Sequence, residues 1–363
     1  MVILTAAVGA GHNGPACELA KRLTAVGHDV QVVDLIDIAP AGIGKLFRSV
    51  FHAQLCWAPG SWGKLFRTMQ RSSGLPSIAG LLVATVSRRV AQILLGARAD
   101  RPADVVVSTF PIAGHVVAAG RKYGTETASI VYITDPAVHR LWIAEGTDLY
   151  LTTWHGGAEQ VRQYTAAQVE VVMPAVRPEF LPRAPHGSGD AVHPRRELRL
   201  PPGPLALLCS GSWGVGDVRR AAEDVLAHGG MTPIVLCGHN TGLRRRLDGI
   251  PGVVALGWVT DMAALMRICD VAVLNSGGLT LAECVASGLP VIHYRPLPGQ
   301  GQANAEFCET SGHAPWPRTR QQLTAAMALV TNGSRPPLPE GDPIAKIVAA
   351  GPTRPRLWQT DAA

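Results

Sequence analysis

The run Val8-Gly-Ala-Gly-His-Asn-Gly-Pro15 places His12 in a glycine-rich turn between an apolar stretch and a helical one. A histidine held there can take a proton from a hydroxyl, an effect worth about 10²–10⁴-fold in rate. The same residue can also simply close the turn by hydrogen bonding. A second constellation, Thr134-Asp-Pro-Ala-Val-His-Arg-Leu-Trp142, follows another apolar run. Asp135 there could bond His12 and raise its basicity, or be the base itself; the plainer reading is an Asp-Pro turn with a packing tryptophan.

The segment Asn275-Ser-Gly-Gly-Leu-Thr-Leu-Ala-Glu283 carries a different chemistry. An apolar strand runs into small residues, Ser276, Gly277 and Gly278, followed by Leu279, and a helix starts near Thr280. Such a start aims unpaired backbone N–H groups and a partial positive charge at the loop, which suits a diphosphate. Glu283, one turn on, is placed to accept hydrogen bonds from a ribose diol. Pro298-Gly-Gln-Gly-Gln-Ala-Asn304 reads as a polar loop whose Gln300, Gln302 and Asn304 suit sugar hydroxyls. Gly211-Ser-Trp-Gly-Val-Gly216, with Ser212 and Gly214, offers either a second phosphate cradle or a plain tight turn. Backbone around Val259 could read a uracil edge. Diphosphate, ribose and sugar together spell a nucleotide sugar.

These residues need a frame that gathers strand ends. Apolar β-branched runs at Val2–Val8, Asp29–Leu35, Val105–Thr109, Ser129–Thr134, Leu149–Thr152 and Glu170–Met173 alternate with helical stretches, which predicts a parallel sheet covered on both faces. Residues 186–204 are Pro-rich and read as a linker with a short helix near Arg195–Leu200. The alternation restarts at Leu205–Ser210 and continues through Pro233–Cys237, Val253–Leu256, Val271–Leu274 and Pro290–Tyr294. The expectation is an α/β chain of two doubly wound units, 1–185 and 205–335, facing across a cleft, with ligands beyond the strands' carboxyl ends. The Pro-rich tail 336–363 is a candidate to cross back to the first unit.

With 363 residues, two domains are expected. Thirty-three basic against 27 acidic residues give a net charge of +6, modest enough to favour an anionic ligand or membrane surface over nucleic acid. Seven scattered cysteines without a CxxC pair read as reduced core residues of a cytoplasmic protein. The chain opens on a strand without a signal-peptide pattern, and its longest apolar stretch is too short to span a bilayer. Residues 42–72 interleave Lys45, Arg48, Lys64, Arg67 and Arg71 with Phe47, Phe51, Trp57, Trp62 and Phe66. That pattern fits either a membrane-interface element or solvated helices packing aromatics on the core. An Asp-x-Asp metal site at a strand end, a P-loop and a Gly-x-Ser-x-Gly elbow are all missing from the sequence.

In this order the motifs resemble the processive diacylglycerol glycosyltransferases and monogalactosyldiacylglycerol synthases, and more distantly the lipid-linked N-acetylglucosaminyl transferase of peptidoglycan synthesis. The resemblance runs to about residue 315 through Gly9–Asn13, Asp34–Asp37, Thr134–Trp142, Pro174–Phe180, Cys237–Asn240, Ser276–Glu283 and Pro298–Asn304. It implies a GT-B fold and inverting transfer from a UDP-sugar without a metal or other cofactor. His12 would be the base with Asp135 nearby, and Ser276–Thr280 with Glu283 would hold the nucleotide. Gln300, Gln302 and Asn304 would face the sugar. Phe47, Arg48, Phe51, Trp57, Trp62, Phe66, His139 and Trp142 would lie on the acceptor and membrane side. Gly301 stands where the family has an acid, so no sugar preference carries over. The expected protein is cytoplasmic, peripheral on the inner membrane face, with a lipid acceptor. A soluble transferase, a UDP-sugar 2-epimerase and a non-catalytic binding protein share enough of these features to stay open.

Overall fold

The computed structural model describes residues 1–71, 77–96, 101–181, 192–275, 277–330 and 338–351. The first domain runs β1 (Val2–Thr5), α1 (Ala10–Ala25), β2 (Gln31–Asp34), α2 (Leu35–Ile38), α3 (Ile43–Trp57), α4 (Pro59–Arg71) and α5 (Ser77–Leu94), then β3 (Val105–Ser108) and α6 (Pro111–Gly120). It continues through β4 (Ala128–Ile133), β5 (Leu149–Thr152), α7 (His155–Arg162) and β6 (Gln168–Val171). A short helix, α8 (Val192–Glu197), precedes the second domain. It sits earlier than the Arg195–Leu200 expectation because Arg199 turns left-handed (φ 52°) and ends it.

The second domain comprises β7 (Leu205–Cys209), α9 (Val218–Leu226), β8 (Thr232–Leu236), α10 (Thr241–Asp248), β9 (Val254–Leu256) and α11 (Met262–Ile268), then β10 (Val271–Leu274) and α12 (Leu279–Ala286). After β11 (Val291–His293) come α13 (Gln300–Thr310), α14 (Arg320–Val330) and α15 (Pro343–Ala349).

Both sheets are parallel, ordered β2-β1-β3-β4-β5-β6 and β11-β10-β7-β8-β9. Their inner strands are buried along their whole length, as continuous apolar runs require when helices cover both faces. Each order reverses once, between β1 and β3 in the first sheet and between β7 and β10 in the second. Connections leave in opposite directions there, so a crevice opens beyond the carboxyl ends. His12 follows β1, and the Gly211 and Gly277 loops follow β7 and β10.

The domains meet along apolar surface. Ala137, Trp154, Val176 and Phe180 of the first share one buried cluster with Leu281, Phe307 and Cys308 of the second. Trp154 meets Phe307 edge-on at 6.5 Å. The chain also returns to its start. Ile344 and Ile347 of α15 are buried with Leu19, Leu23 and Val105, and Lys346 pairs with Glu170 at 3.1 Å.

The stretch after β11 also differs from its sequence pattern. Of the stretch Pro298–Asn304, read as a polar loop, residues 300–304 are the first part of α13, which starts behind Gly299 (φ 81°). The membrane expectation meets one plain fact: among the described residues no helix is long and apolar enough to cross a bilayer.

Candidate active site

A cavity of about 840 Å³ opens between the domains at the two sheet crevices. On its first-domain wall, α1 begins at Ala10, earlier than the pattern suggested, so His12 lies in the first helical turn. Gly9 enables this start at φ 94°, and Asn13 accepts a bond from the Thr5 hydroxyl at 2.7 Å. Asp34 proves to be a cap: its carboxylate accepts from the Ala7 and Ile36 amides at 3.0 and 2.8 Å.

His12 Nδ1 lies 3.0 Å from the Thr109 carbonyl oxygen and 3.1 Å from the Thr134 hydroxyl. A carbonyl only accepts, so Nδ1 carries the proton and Nε2 keeps its lone pair. Burial lowers the His12 pKa, and the Asp135 charge pulls it partly back up. Phe110 and Trp142 flank the ring at 5.1 and 6.0 Å. The imidazole is thereby fixed as a neutral base.

Asp135 is buried and does not bond His12, contrary to one of the sequence alternatives. Its Oδ2 accepts from Trp142 Nε1 at 3.0 Å and faces His139 Nε2 at 3.6 Å. Burial raises its pKa, but the His139 bond, the His139 and His12 charges and Trp142 outweigh it and hold the carboxyl below its ordinary value. Asp135 therefore acts on His12 as a nearby fixed charge. His139 and Trp142, placed on the acceptor side by the sequence reading, are 4 % and 0 % exposed and hold Asp135 instead.

Opposite, α12 starts at Leu279 behind Gly278 (φ 83°), whose Cα hydrogen side stands against Asp135 Oδ1: a Cβ there would lie 3.7 Å away. Its first amides have no partner within the helix, and Gly277, Gly278, Leu279 and Thr280 line the cavity. Glu283 lines the same wall. Burial pushes its pKa up to about 7 against the opposing charge of Arg177. Gly211, Ser212, Val259 and Gln300 also line the cavity. Gly214 lies behind the loop, where Asn240 Nδ2 donates to its carbonyl at 3.1 Å. Ser276 lies outside the described residues.

The helical form of α13 redistributes the expected sugar contacts. Gln302 points to solvent. Asn304 is 1 % exposed and lines the cavity, yet it spans the domains: its Oδ1 accepts from the Ala137 amide at 3.2 Å, and its Nδ2 lies 3.5 Å from Asp135 Oδ1. Gly301 has a local reason. A Cβ there would stand 3.0 Å from the Asn275 carbonyl and 3.1 Å from Leu297 Cβ, leaving no room for an acid.

The aromatic region divides in two. Phe51, Leu55 and Trp62 line the cavity, and Phe51 meets Trp62 edge-on at 4.8 Å. Phe47 stacks behind Phe51, and Phe66 is buried against His139 at 5.3 Å. Arg48 is exposed, and Trp57 is 88 % exposed. Sequence reasoning gave no role to Thr109, Trp213 or Leu55. Thr109 acts through its backbone, which residue type does not reveal. Trp213, inside the quoted Gly-rich turn, packs on His52 at 4.8 Å and joins the turn to α3.

A family model described as Glycosyl transferases group 1 matches residues 211–309. The processive diacylglycerol beta-glucosyltransferase of Bacillus subtilis (strain 168) is 29% identical over 219 residues, 58% of this chain and 56% of that protein. The Bacillus cereus (strain 03BB102) protein of the same name is 29% identical over 242 residues, 64% of this chain and 60% of its own. The chain thus matches less than two thirds of the length of these relatives. Among solved structures, Os79 from O. sativa in complex with UDP superposes with TM-score 0.61 at 15% identity, covering 92% of each chain. MurG of Acinetobacter baumannii gives 0.53 at 16% identity, covering 91% of this chain and 90% of its own. Two parallel-sheet domains facing across a cleft give the chain the GT-B fold of these structures, and in sequence it is similar to the processive diacylglycerol beta-glucosyltransferases.

Proposed function

We propose that the protein transfers a sugar from a UDP-sugar to a hydroxyl of a diacylglycerol-type lipid, with inversion and without a metal ion. The observation that carries this reading is His12: a base with its proton fixed on Nδ1, set between two unlike walls. On one side stand the Gly-rich loop 211–216, the α12 start and Glu283, suited to diphosphate and ribose. On the other stand Phe51, Leu55 and Trp62, suited to an apolar acceptor.

In the proposed reaction the acceptor hydroxyl gives its proton to His12 Nε2 as its oxygen attacks the anomeric carbon. The bond from that carbon to the β-phosphate oxygen breaks on the opposite face, and UDP departs against the α12 amides. Asp135 stabilises the imidazolium that forms. Donors already aimed at the leaving group need no reorganisation, a term typically worth a few kcal/mol.

The exposed side of α3 supports a lipid surface as partner. Leu46, Val50, Ala53 and Trp57 repeat at helical spacing on that side, while Phe51 and Leu55 face the cavity. Lys45 and Arg48 of the same helix and Lys64 and Arg67 of α4 are exposed as well. An exposed apolar stripe on a helix pair that also carries exposed basic residues fits shallow insertion into an anionic leaflet, here the inner face of the membrane.

The test is incubation with radiolabelled UDP-sugars, with and without extracted membrane lipid, followed by partition into organic solvent. Label in the organic phase supports the lipid acceptor and names the sugar. UDP release without organic label moves the acceptor to a soluble molecule, and silence on every donor despite UDP binding sinks the transferase reading. Loss of vesicle binding in Leu46→Ser/Trp57→Ser, with activity on short-chain acceptors retained, tests the membrane side.

A further inference from the structure

Behind the donor wall lies a charged knot that the mechanism does not use. Arg295 leaves β11 in the left-handed backbone region (φ 48°), which residues other than glycine, asparagine and aspartate seldom occupy. Its Nη1 donates to Asp217 Oδ2 at 2.8 Å, and Nε and Nη2 donate to Asp224 Oδ2 at 3.1 and 2.9 Å. The Tyr294 hydroxyl donates to the same Asp224 oxygen at 2.9 Å.

The knot joins loops that are separate in sequence. Asp217 is the N-cap of α9 and follows directly on the Gly-rich loop 211–216. Arg295 opens the segment that leads to Gln300. Between them sits Asn275 at the end of β10, 7 % exposed, just before the diphosphate-loop residues. Asn275 Nδ2 donates to the Val215 carbonyl at 2.7 Å, and the Asn275 carbonyl accepts from the Leu297 amide at 2.8 Å. Gly216 fits so closely that a Cβ would lie 2.7 Å from Asn275 Nδ2 and 3.0 Å from Leu297 Cδ2. The loops after β7, β10 and β11 therefore form one body, with Asn275 as its inner tie and Arg295 as its outer clasp. An unfavourable backbone angle persists where its surroundings over-determine it, and here a three-donor fork holds it.

We propose that Arg295 is a positioning residue of the donor site: through Asp217 it holds the Gly-rich loop where the loop's amides meet the diphosphate. Arg295 is not part of the cavity wall, so it acts through the loop rather than on the ligand. The proposal rests on reading this cavity as the UDP-sugar site.

Three variants test it against a merely structural role. Arg295→Gly removes the fork and accepts the same backbone angle freely, so the fold keeps its turn. Calorimetric titration with UDP should show a dissociation constant raised about ten- to a hundredfold, the scale on which small misplacements act. KM for the donor should rise more than kcat falls. Asp217→Asn should reproduce the defect, and the double variant should be no worse than either single one. Arg295→Lys, with charge but no fork, should recover only part. Wild-type UDP affinity in folded Arg295→Gly overturns the proposal, as does a lowered Tm with unchanged affinity. Should Arg295→Gly not fold, unchanged affinity in Asp217→Asn overturns it equally. Absence of UDP binding by the wild-type protein instead refutes the donor-site reading itself.

Discussion

His12 owes its role to two neighbours that lie 97 and 122 positions away in sequence. The Thr109 carbonyl fixes its proton, and burial keeps it neutral at a pH where an ordinary histidine would begin to charge. Transfer rate should therefore rise with pH on the acid side and level off below the usual histidine value of about 6.5. His12→Ala should cost about 10²–10⁴-fold in kcat while calorimetry still shows UDP binding; loss of both would remove the assigned role. In Asp135→Asn the acid limb should move to lower pH, because the charge that raises the His12 pKa is gone.

Glu283 makes a second prediction. Its folded pKa of about 7 exceeds that of the unfolded carboxylate, so the folded state holds the extra proton between those values. Stability of the unliganded protein should fall as pH rises across that window and stay level above it. Ribose hydroxyls bonding the carboxylate favour its charged form, so UDP binding at pH 7 should release a proton. Titrations in buffers of different ionisation enthalpy would show that release, and Glu283→Gln should abolish it. At this scale the sequence named His12, Asp135 and Glu283 by type and position at strand or helix ends, and the fold brings them to one cavity. The sequence could not disclose Thr109, whose contribution is a backbone carbonyl, nor that Asn304 bridges to Ala137 and Asp135.

Elements set the distances that those residues need. α1 and α12, one from each domain, touch where Gly14 meets Leu279: a Cβ on residue 14 would stand 2.4 Å from Leu279 Cδ2. Gly14→Ala is tolerable, since the contact is the tip of a flexible side chain. A β-branched residue leaves no such escape, so Gly14→Val should part the two helices and draw His12 away from the leaving-group site. Transfer should fall about tenfold or more while UDP affinity, which the proposed function assigns to α12 and its loops, changes less. Equal losses in both would show instead that α1 helps hold the nucleotide. The strands were legible as continuous β-branched runs: β5 and β10 keep the expected bounds, β4, β6 and β8 begin one or two residues earlier, and the other ends are unchanged or shortened by one to three residues. α13 was not, because Gly299, Gly301 and the amide side chains imitate a loop. The turn at Gly299 starts the helix, and Gly301 then packs against the Asn275 carbonyl, a long-range contact that residue type does not reveal.

The repetition of one doubly wound architecture was legible across the whole molecule, and with it the cleft, because both sheets reverse order beside their chemical loops. The sequence left the end of the chain open. α14 packs on the second domain, whereas α15 closes the first, with the Met173 amide donating to the Gly341 carbonyl at 2.6 Å. Ile347 is fully buried among Leu19, Leu23 and Val105, beneath the helix that carries His12. Ile347→Ala should destabilise the first domain by about 2–5 kcal/mol, the usual cost of such a truncation in a packed core. The second domain has its own core and should keep UDP affinity near the wild-type value. Hydrogen exchange resolves the two, since a single melting temperature is poorly defined for a two-domain chain. Faster exchange in β1, α1 and β3 alone would make α15 an integral piece of the domain that bears the base. Acceleration spread equally over both sheets would mean that the returning helix holds the two domains together as one folding unit.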